Sequence, residues 1–342
     1  MVTGKDIAAE TGYALSTVEK VLRGHAKKYK IREHSCQKIL DTARKMGYYK
    51  NEAAVITRTG VNRTIALFTA TLENLHAVYS KIISGVMVEA ARNDYSVLMF
   101  SYCDDLEMQL RKLPGKRIKK LIYLNDQKNE HNHLVTEFCR EHGIEVVFVS
   151  GGMACGDELT VATDDYNGVR EAVRYLVQNG MKKIALITGD YYPERQQGAI
   201  DALAEAGLQN CEKYHIIHTH SVPYSVLMDR IGKMLDEDDI PDSFWCMTDD
   251  IAMMVMMQAH KRNLRVPEDI SVIGYGNAYP IIQYAVAPLT TVEQPFQREG
   301  ETAVKLLLGL ETENAVRKNN IVYVKVNLLI RDSVKKKIMN NK

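Results

Sequence analysis

Apolar residues recur at helical spacing through the first fifty residues. Three segments show the pattern, at residues 5–11, 15–23 and 32–46, and each repeats its apolar positions every three or four residues. Thr3 with Asp6 three positions later matches a capping box, a side-chain and backbone pattern that begins a helix. The sequence therefore predicts a small head of three helices.

A glycine separates the first two predicted helices. Gly12 tolerates the positive φ of a sharp turn, so these helices form a helix-turn-helix. The polar face of the second helix carries Ser16, Thr17, Lys20 and Arg23, which are side chains able to reach base edges or phosphates beside a major groove. Taken alone, the same face is also compatible with an ordinary solvated helix surface.

From residue 63 onward, short β-branched or aromatic runs alternate with helical segments. This alternation is typical of parallel sheets covered by helices, and so many strands over about 270 residues favour two lobes over one. The predicted fold class is an all-α helix-turn-helix head plus an α/β core of two doubly wound parallel-sheet lobes. The predicted strands are 65–70, 97–102, 121–124, 146–150, 184–189, 215–218, 244–247 and 270–275.

The chain is expected to pass from one lobe to the other near residues 161–164, 289–294 and 320–322. The resulting domains are a helix-turn-helix head at 1–49, a hinge at 50–62, an amino lobe at 63–161 and 292–320, a carboxyl lobe at 162–291 and 321–334, and a basic tail at 335–342.

Charge is divided unevenly along the chain. Residues 1–60 hold 12 Lys and Arg against 6 Asp and Glu, whereas the rest holds 32 against 37. A basic head on a slightly acidic body indicates that only the head meets a polyanion. Because no apolar stretch approaches the length of a membrane span and the N-terminus lacks a secretory signal, we expect a cytoplasmic protein without membrane contact.

The sequence offers little for catalysis or metal binding. Its six cysteines lie far apart, which predicts buried free thiols instead of disulfides or a zinc site. Phosphate-loop, serine-hydrolase and zinc-protease motifs are missing, and His131 and His133 fit a solvated loop or helix start better than a metal site. We therefore expect no enzyme, no cofactor and no metal. An enzyme with an added DNA-binding head would need a nucleophile or acid/base pair that the sequence does not offer.

Ordered motifs in the head and hinge carry a family resemblance. They are Val2-Thr3-x-x-Asp6-Ile7-Ala8, Gly12, Thr17-Val18-x-Lys20-Val21-Leu22-x-Gly24 and Gly47-Tyr48-x-x-Asn51-x-x-Ala54. These motifs resemble the lactose-repressor (LacI/GalR) family of transcriptional regulators. The resemblance implies that Leu15, Ser16 and Lys20 read bases. It also implies phosphate contacts at Thr3, Thr17, Arg23 and Asn51.

Several positions depart from the family pattern. Thr57, in the hinge-helix segment 52–58, stands where the family generally has a leucine that wedges into the minor groove, so the same kink of the DNA is not implied. We keep Thr57 among the expected DNA contacts. Other departures are Ala14 for a capping serine, Glu19 for a small polar residue, Lys50 for a proline, and a longer, more basic loop after Gly24.

The core carries motifs of the same family and of the cognate periplasmic sugar-binding proteins. They include Asp164-x-x-x-Gly168, Arg195-x-x-Gly198, Ile270-Ser271-Val272-Ile273-Gly274-Tyr275 and Leu289-Thr290-Thr291-Val292-x-Gln294. Such proteins bind a small molecule between the lobes, at the carboxyl ends of the strands. By resemblance the expected effector contacts are Tyr79, Ser150, Tyr191, Arg195, Thr248, Asp249 and Asn277.

Arg195 is the strongest effector candidate, because its planar fork of donors suits paired hydroxyls or a carboxylate. The alternative is a structural salt bridge. The family's acidic residue after Gly-Tyr is missing here, where Gly276-Asn277 follows, so the effector is not a common neutral hexose unless Asp249 or Asp250 takes that role. Tyrosines near the cleft, such as Tyr79, Tyr191, Tyr192 and Tyr224, fit stacking on a ring or simple packing.

The expected function is that of a sequence-specific DNA-binding regulator, a repressor in the first instance. A homodimer would bind double-stranded operator DNA, and a small, carbohydrate-like effector would switch its affinity. The methionine-rich run 253–257 fits core packing, a subunit contact or an adaptable sticky face. Two alternatives stay open: a regulator with a protein or phosphometabolite corepressor, and a sugar-binding transport module, which the basic head and missing signal disfavour.

Overall fold

The structure is a computed structural model of the chain. It describes residues 2–49, 56–57, 59–69, 77–101, 105–124, 129–149, 158–189, 192–218, 222–285, 287–313 and 315–337. Two compact units make up the chain, Met1–Asn62 and Arg63–Lys342.

The head contains the three helices that the sequence predicts. They are α1 (Gly4–Thr11), α2 (Leu15–Leu22) and α3 (Glu33–Lys45). The Thr3 amide and hydroxyl both donate to the Asp6 carboxylate at 2.7 Å, which confirms the reciprocal pairing at this helix start and holds the pKa of Asp6 below its usual value. Gly12 ends α1 at φ 74°, the turn conformation expected of it.

One apolar cluster holds the three head helices together. Its buried members come from all three, and they are Ile7, Val18, Val21, Cys36, Ile39 and Ala43. The positions that the periodicity assigned to the inner faces therefore do face inward, and the polar side of α2 stays outside.

The second unit alternates strands and helices. Its strands are β1 (Thr64–Thr69), β2 (Ser96–Ser101), β3 (Lys120–Leu124), β4 (Glu145–Val149), β5 (Leu159–Thr163), β6 (Ile184–Gly189), β7 (Ile216–His218), β8 (Ser243–Cys246), β9 (Ser271–Gly276), β10 (Thr290–Glu293), β11 (Ala315–Lys318), β12 (Ile321–Val324) and β13 (Asn327–Leu329). Its helices are α4 (Ala77–Arg92), α5 (Leu106–Leu110), α6 (Lys112–Gly115), α7 (Asn129–His142), α8 (Asp165–Gln178), α9 (Pro193–Glu205), α10 (Tyr224–Leu235), α11 (Asp249–Lys261) and α12 (Phe296–Leu307), with 3₁₀ helices at Gln209–Tyr214 and Pro280–Tyr284.

The strands form two sheets, one for each lobe. In the described residues the amino-lobe sheet has the order β11-β12-β5-β4-β3-β1-β2 and the carboxyl-lobe sheet the order β13-β10-β9-β8-β6-β7. Most neighbours are parallel, as expected, whereas β11 against β12 and β13 against β10 are antiparallel. The two-lobed α/β core is therefore confirmed, with antiparallel edges that the sequence pattern did not show.

The positions where the chain changes lobe correct the expected boundaries. β5 ends at Thr163 in the first sheet, so the first crossing lies at Asp164, after the expected boundary at 161. β10 ends at Glu293 in the second sheet, two residues beyond the expected boundary at 291. β12 pairs with β5, so residues 321–324 belong to the amino lobe and the last crossing follows Val324. The hairpin β11–β12 explains this last error, because its outer strand is almost wholly exposed and lacks an apolar face.

Several smaller expectations can be compared with the structure. Cys36, Cys139, Cys211 and Cys246 are buried free thiols, as predicted, while Cys103 and Cys155 lie outside the described residues. His131 and His133 lie in the first turns of α7, which agrees with a helix start. Across the described ranges, no helix is long and apolar enough to cross a bilayer.

The basic tail begins later than expected. The backbone amides of Lys335 and Lys337 donate to Ser271 and Asn179, so the chain is still attached to the carboxyl lobe at these residues although their side chains are exposed. In the run 253–257, Met253, Met254 and Met256 pack against the carboxyl-lobe core, and Met257 is exposed.

Candidate functional site

Helix α2 presents the expected DNA-reading residues on the outside of the head. Val18 and Val21 anchor the helix in the head core, which leaves Ser16 and Arg23 exposed and Lys20 half-buried. Ala14 precedes the helix without a side-chain cap, in line with the missing serine.

Two of the charged side chains on α2 have partners within the head. Arg23 forms an ion pair with Glu19 at 2.6 Å, one helical turn earlier. The Lys20 ammonium lies 4.4 Å from the ring centroid of Tyr29, in the basic loop that follows α2. Glu19, one of the family departures, therefore holds one arginine in place, since exposed i,i+4 pairs of this kind stabilise a side-chain geometry only weakly.

The remaining DNA-contact candidates lie at the two ends of the head. Thr3 is exposed at the start of α1, and Leu15 and Thr17 are half-buried in the first turn of α2. Thr57 is exposed in a short helical stretch at residues 56–57, and Asn51 lies outside the described residues. The structure thus brings Leu15, Ser16, Thr17, Lys20 and Arg23 onto one helix.

In the core, Arg195 is the centre of a buried polar network. Its Nε donates to Asp165 Oδ2 at 2.6 Å and its Nη1 donates to the carbonyl of Met247 at 2.8 Å. The guanidinium lies 3.9 Å from the Tyr192 ring centroid and 4.0 Å from that of Tyr275. These contacts are the salt bridge that the sequence left open as an alternative role.

Electrostatics in this network favour the ionised pair. Burial disfavours the charge on Arg195, but the carboxylate of Asp165 and the two tyrosines outweigh it and raise the pKa of the guanidinium. Asp165 Oδ1 also accepts from the hydroxyls of Thr163 at 2.5 Å and Tyr275 at 2.8 Å. Both charges are therefore fully supplied with partners, as buried ions must be.

Thr248 and Asp249 follow the carboxyl end of β8, where the resemblance placed them. Thr248 caps α11 by accepting from the Ile251 amide, and it adjoins the Met247 carbonyl that Arg195 holds. Asp249 is 2% exposed and accepts from the Thr291 hydroxyl at 2.5 Å, while burial raises its pKa. Arg195 and Thr248 are thus neighbours at one edge of the carboxyl-lobe sheet.

Asn277 has a different position from that of a free effector contact. Its amide donates to Glu293 at 2.9 Å and its side-chain oxygen accepts from Arg331 at 3.0 Å, so the side chain is engaged inside the carboxyl lobe. Its main-chain carbonyl accepts from Lys81 of α4 at 3.1 Å, which joins the two lobes. The structure therefore places Asn277 at a lobe-to-lobe contact.

The tyrosines divide between packing and the network. Tyr79, at the start of α4, packs against the amino-lobe core, which also includes Ala278 and Tyr279 from the opposite lobe. Tyr224 is about half exposed and stacks on His218 with centroids 5.1 Å apart. Ser150 and Tyr191 lie outside the described residues.

Sequence reasoning missed two carboxylates near the cleft. Asp165, the hub of the Arg195 network, directly follows the Asp164 of the quoted motif. Glu299, in the first turn of α12, is 1% exposed, and its Oε1 has no hydrogen-bond partner among the described residues. Burial and the charge of Asp165 raise the pKa of Glu299 to about 8, and Arg195 opposes the shift. No sequence signal marked it, because the surrounding helix pattern predicts only an apolar face interrupted by one acid.

Comparison with known proteins gives matches over nearly the whole chain. The periplasmic binding protein-like domain family matches residues 173–334. The HTH-type transcriptional repressor PurR of Vibrio vulnificus is 27% identical over 344 residues, which cover 98% of this chain and 99% of that protein. Catabolite control protein A of Priestia megaterium is 24% identical over 98% of this chain and 99% of its own length.

Solved structures share the fold. The lac repressor dimer bound to operator and the anti-inducer ONPF aligns with a TM-score of 0.76 and 23% identity, covering 97% of this chain and 98% of that one. The transcriptional regulator CelR in complex with cellobiose aligns with a TM-score of 0.65 and 21% identity over 97% of this chain and all of the other. With the helix-turn-helix head and the two-lobed core, these matches show that the chain belongs to the lactose-repressor (LacI/GalR) family of transcriptional regulators.

Proposed function

We propose that the chain is a homodimeric DNA-binding repressor of the cytoplasm whose operator affinity is switched by a small molecule bound between its lobes. The observation that carries the proposal is the joining of a basic helix-turn-helix head to a two-lobed core within one chain, matched end to end by repressors. The relatives are named as repressors, which supports a regulator and not an enzyme.

On the DNA side, α2 is the proposed recognition helix. Its outer face offers Leu15, Ser16 and Lys20 to base edges, and Thr17 and Arg23 to phosphates, with Thr3 at the start of α1 as a further phosphate contact. Asn51 and Thr57 would extend the contact along the hinge. A dimer would place two such helices in successive major grooves, about one helical turn apart.

On the effector side, the charges near the cleft favour an uncharged, hydroxyl-rich ligand over a phosphorylated one. Arg195 is already neutralised by Asp165, while Asp249 and Glu299 add acidic groups to the same region. A phosphate would meet these carboxylates without an unpaired guanidinium to receive it. Tyr79 and Thr248, together with Ser150 and Tyr191, would supply ring and hydroxyl contacts, as for the cellobiose in the CelR structure.

An exposed apolar surface on the amino lobe supports the dimer. β2 is the edge strand of its sheet, and its Leu98 and Met99 are exposed together with Met87 of α4. Exposed apolar groups on an edge strand are a liability unless a partner covers them. A second copy of the chain would cover this surface, and effector binding would then shift the paired amino lobes with a coupling of about 1–3 kcal/mol.

Lys20→Ala in the full-length chain tests the DNA assignment. Duplexes selected from a randomised pool by the wild-type chain should bind the variant more weakly, because a charged recognition contact is lost, while effector affinity stays unchanged. Equal loss of both activities would contradict the division of labour between head and core, and failure of the wild type to select any duplex would overturn the proposal.

A thermal-shift screen tests the effector assignment. Sugars, polyols, sugar acids, nucleosides and sugar phosphates are offered to the full chain, and a ligand that binds only the folded state raises the melting temperature. We expect a neutral sugar or polyol to do so, at about 2.7 kcal/mol of added stability when present at a hundred times its Kd. A response to sugar phosphates alone would favour the phosphometabolite alternative instead.

A further inference from the structure

The loop that follows α2 is unusually basic and is fixed to the head. Residues 23–32 contain five Lys and Arg and no Asp or Glu. Backbone hydrogen bonds close the loop on itself and on α2: the His25 amide donates to Lys20, the Tyr29 amide to His25, and the Ile31 amide to Ala26. Ala26 and Ile31 also pack on the head core, so the loop has a defined conformation.

Tyr29 is held at the outside of this loop. Its side chain is 49% exposed, although an aromatic ring of this size usually gains from burial. The Lys20 ammonium lies 4.4 Å from its ring centroid and the Lys28 ammonium 5.9 Å from it. One exposed ring thus gathers a lysine from the recognition helix and a lysine from the loop, which is a cation–π arrangement.

The ammonium groups around the ring are available to a polyanion. Within the described part of the head, no carboxylate forms an ion pair with Lys20, Lys27, Lys28 or Lys30, whereas Arg23 does pair, with Glu19. Two ammonium groups held close together repel each other in the free protein, and an anion between them removes that repulsion. The backbone of duplex DNA is the anion that fits, because Lys20 belongs to the helix already proposed to face the duplex.

We propose that Lys20, Tyr29 and Lys28 form one contact surface for the phosphate backbone of duplex DNA, in which Tyr29 positions the Lys20 ammonium and Lys28 supplies a phosphate contact beyond α2. This inference rests on the proposed DNA-binding function and deepens it. It assigns a role to the loop that departs from the family pattern.

The test compares full-length variants on a duplex of about 30 base pairs, long enough for two half-sites and selected by the wild-type chain. Affinity is measured between about 50 and 200 mM salt. Lys28→Ala should lower the slope of log affinity against log salt by about 0.9, the value of one lost phosphate contact. Lys45→Ala, which removes an equally exposed lysine at the end of α3, is the matched control and should leave the slope close to that of the wild type.

Tyr29 is tested through its dependence on Lys20. Tyr29→Leu should weaken binding by about twofold to fivefold, the range expected for an exposed cation–π contact, whereas Tyr29→Phe keeps the ring and should bind like the wild type. In a Lys20→Ala background, Tyr29→Leu should cause no further loss, because its effect acts through that ammonium. A ring with a merely structural role would weaken both backgrounds equally.

The outcomes separate this inference from the proposed function. Wild-type affinity in Tyr29→Leu together with an unchanged salt slope in Lys28→Ala would overturn the contact surface while leaving the repressor assignment intact. Failure of the wild-type chain itself to bind any duplex would overturn both. Circular dichroism of each variant verifies that the half-exposed substitutions leave the fold unchanged.

Discussion

Single residues show how the buried charges of the core are satisfied. Arg195 is fully enclosed by an aspartate, a main-chain carbonyl and two tyrosine rings, so its first role is to hold the carboxyl lobe together where Asp165 begins α8. Its position was predictable from the motif Arg195-x-x-Gly198, but its partner was not, because residues 165 and 195 meet only through the fold.

Removing Arg195 should destabilise the carboxyl lobe strongly. Arg195→Ala leaves Asp165 as a buried, uncompensated charge, and such losses cost about 3–5 kcal/mol. The free energy of unfolding can be followed in urea by the fluorescence of Trp245, which is fully buried in the same lobe. Arg174→Ala breaks an ion pair with Glu205 in which both side chains are about half exposed, and should cost less than about 1 kcal/mol. Equal effects of the two substitutions would contradict this account.

Glu299 should make stability depend on pH. Its folded-state pKa is raised to about 8 from an ordinary value of 4.5, so between these values the folded chain holds a proton that the unfolded chain has released. Its contribution is therefore complete below about pH 4.5 and is lost as the pH rises towards 8, at up to about 1.4 kcal/mol per pH unit.

The expected result is a wild-type free energy of unfolding that falls between pH 5 and 8 more steeply than that of Glu299→Gln, which keeps the shape but cannot titrate. Urea midpoints by circular dichroism at several pH values within this window measure the difference. Glu311→Gln, at an exposed position, should follow the wild type. The same pH profile in Glu299→Gln and in the wild type would refute the assignment.

At the scale of elements, helices α4 and α12 show a packing constraint that the sequence does not announce. Gly85 and Gly300 lie at their contact, where a Cβ on Gly85 would collide with the carbonyl oxygen of Gln297 and one on Gly300 with that of Ile82. The two backbones therefore approach so closely that only glycine fits at either position.

Gly300→Ala should consequently destabilise the amino lobe by about 1–3 kcal/mol or more, because backbone atoms must shift to admit the methyl group. Gly115→Ala is the matched control, since the position is helical, has open space around it and no positive φ, and should be neutral or slightly stabilising. Thermal unfolding followed by circular dichroism compares them. A Gly300→Ala melting temperature equal to that of the control would show that the helices separate without cost.

Elements with strong periodicity were predictable and weakly patterned ones were not. The three head helices and the strands β1, β3, β6, β8 and β9 follow from apolar runs that fix which side is buried, and each boundary falls within one residue or two of the expected one. β10 and β13 are only three or four residues long, and β11 has an exposed face, so their apolar pattern is too short or too weak to detect. The site residues Arg195 and Asp249 were predictable from motifs, whereas Glu299 became visible only once α12 was placed beside the crossings.

At the scale of the whole molecule, the exposed edge of the amino lobe predicts the assembly. Met99→Lys in β2 should place a charge in the proposed dimer surface and shift the chain towards monomer at micromolar concentration. Sedimentation velocity measures the shift. Ile217→Lys, at a similarly exposed apolar position on β7 of the other lobe, should leave the mass unchanged. A Met99→Lys variant that remains dimeric would move the interface elsewhere.

The three crossings between the lobes are joined to one another. The Asp164 amide donates to the Val324 carbonyl at 3.1 Å, and the Gln294 amide group donates to the Thr163 hydroxyl at 2.8 Å, so each connection is fastened to a neighbour. Fastened connections allow the lobes to rotate about a common axis but resist sliding or twisting apart. A ligand that closes the cleft therefore loses little entropy in ordering the connections, and most of its binding energy is available to select one angle between the lobes.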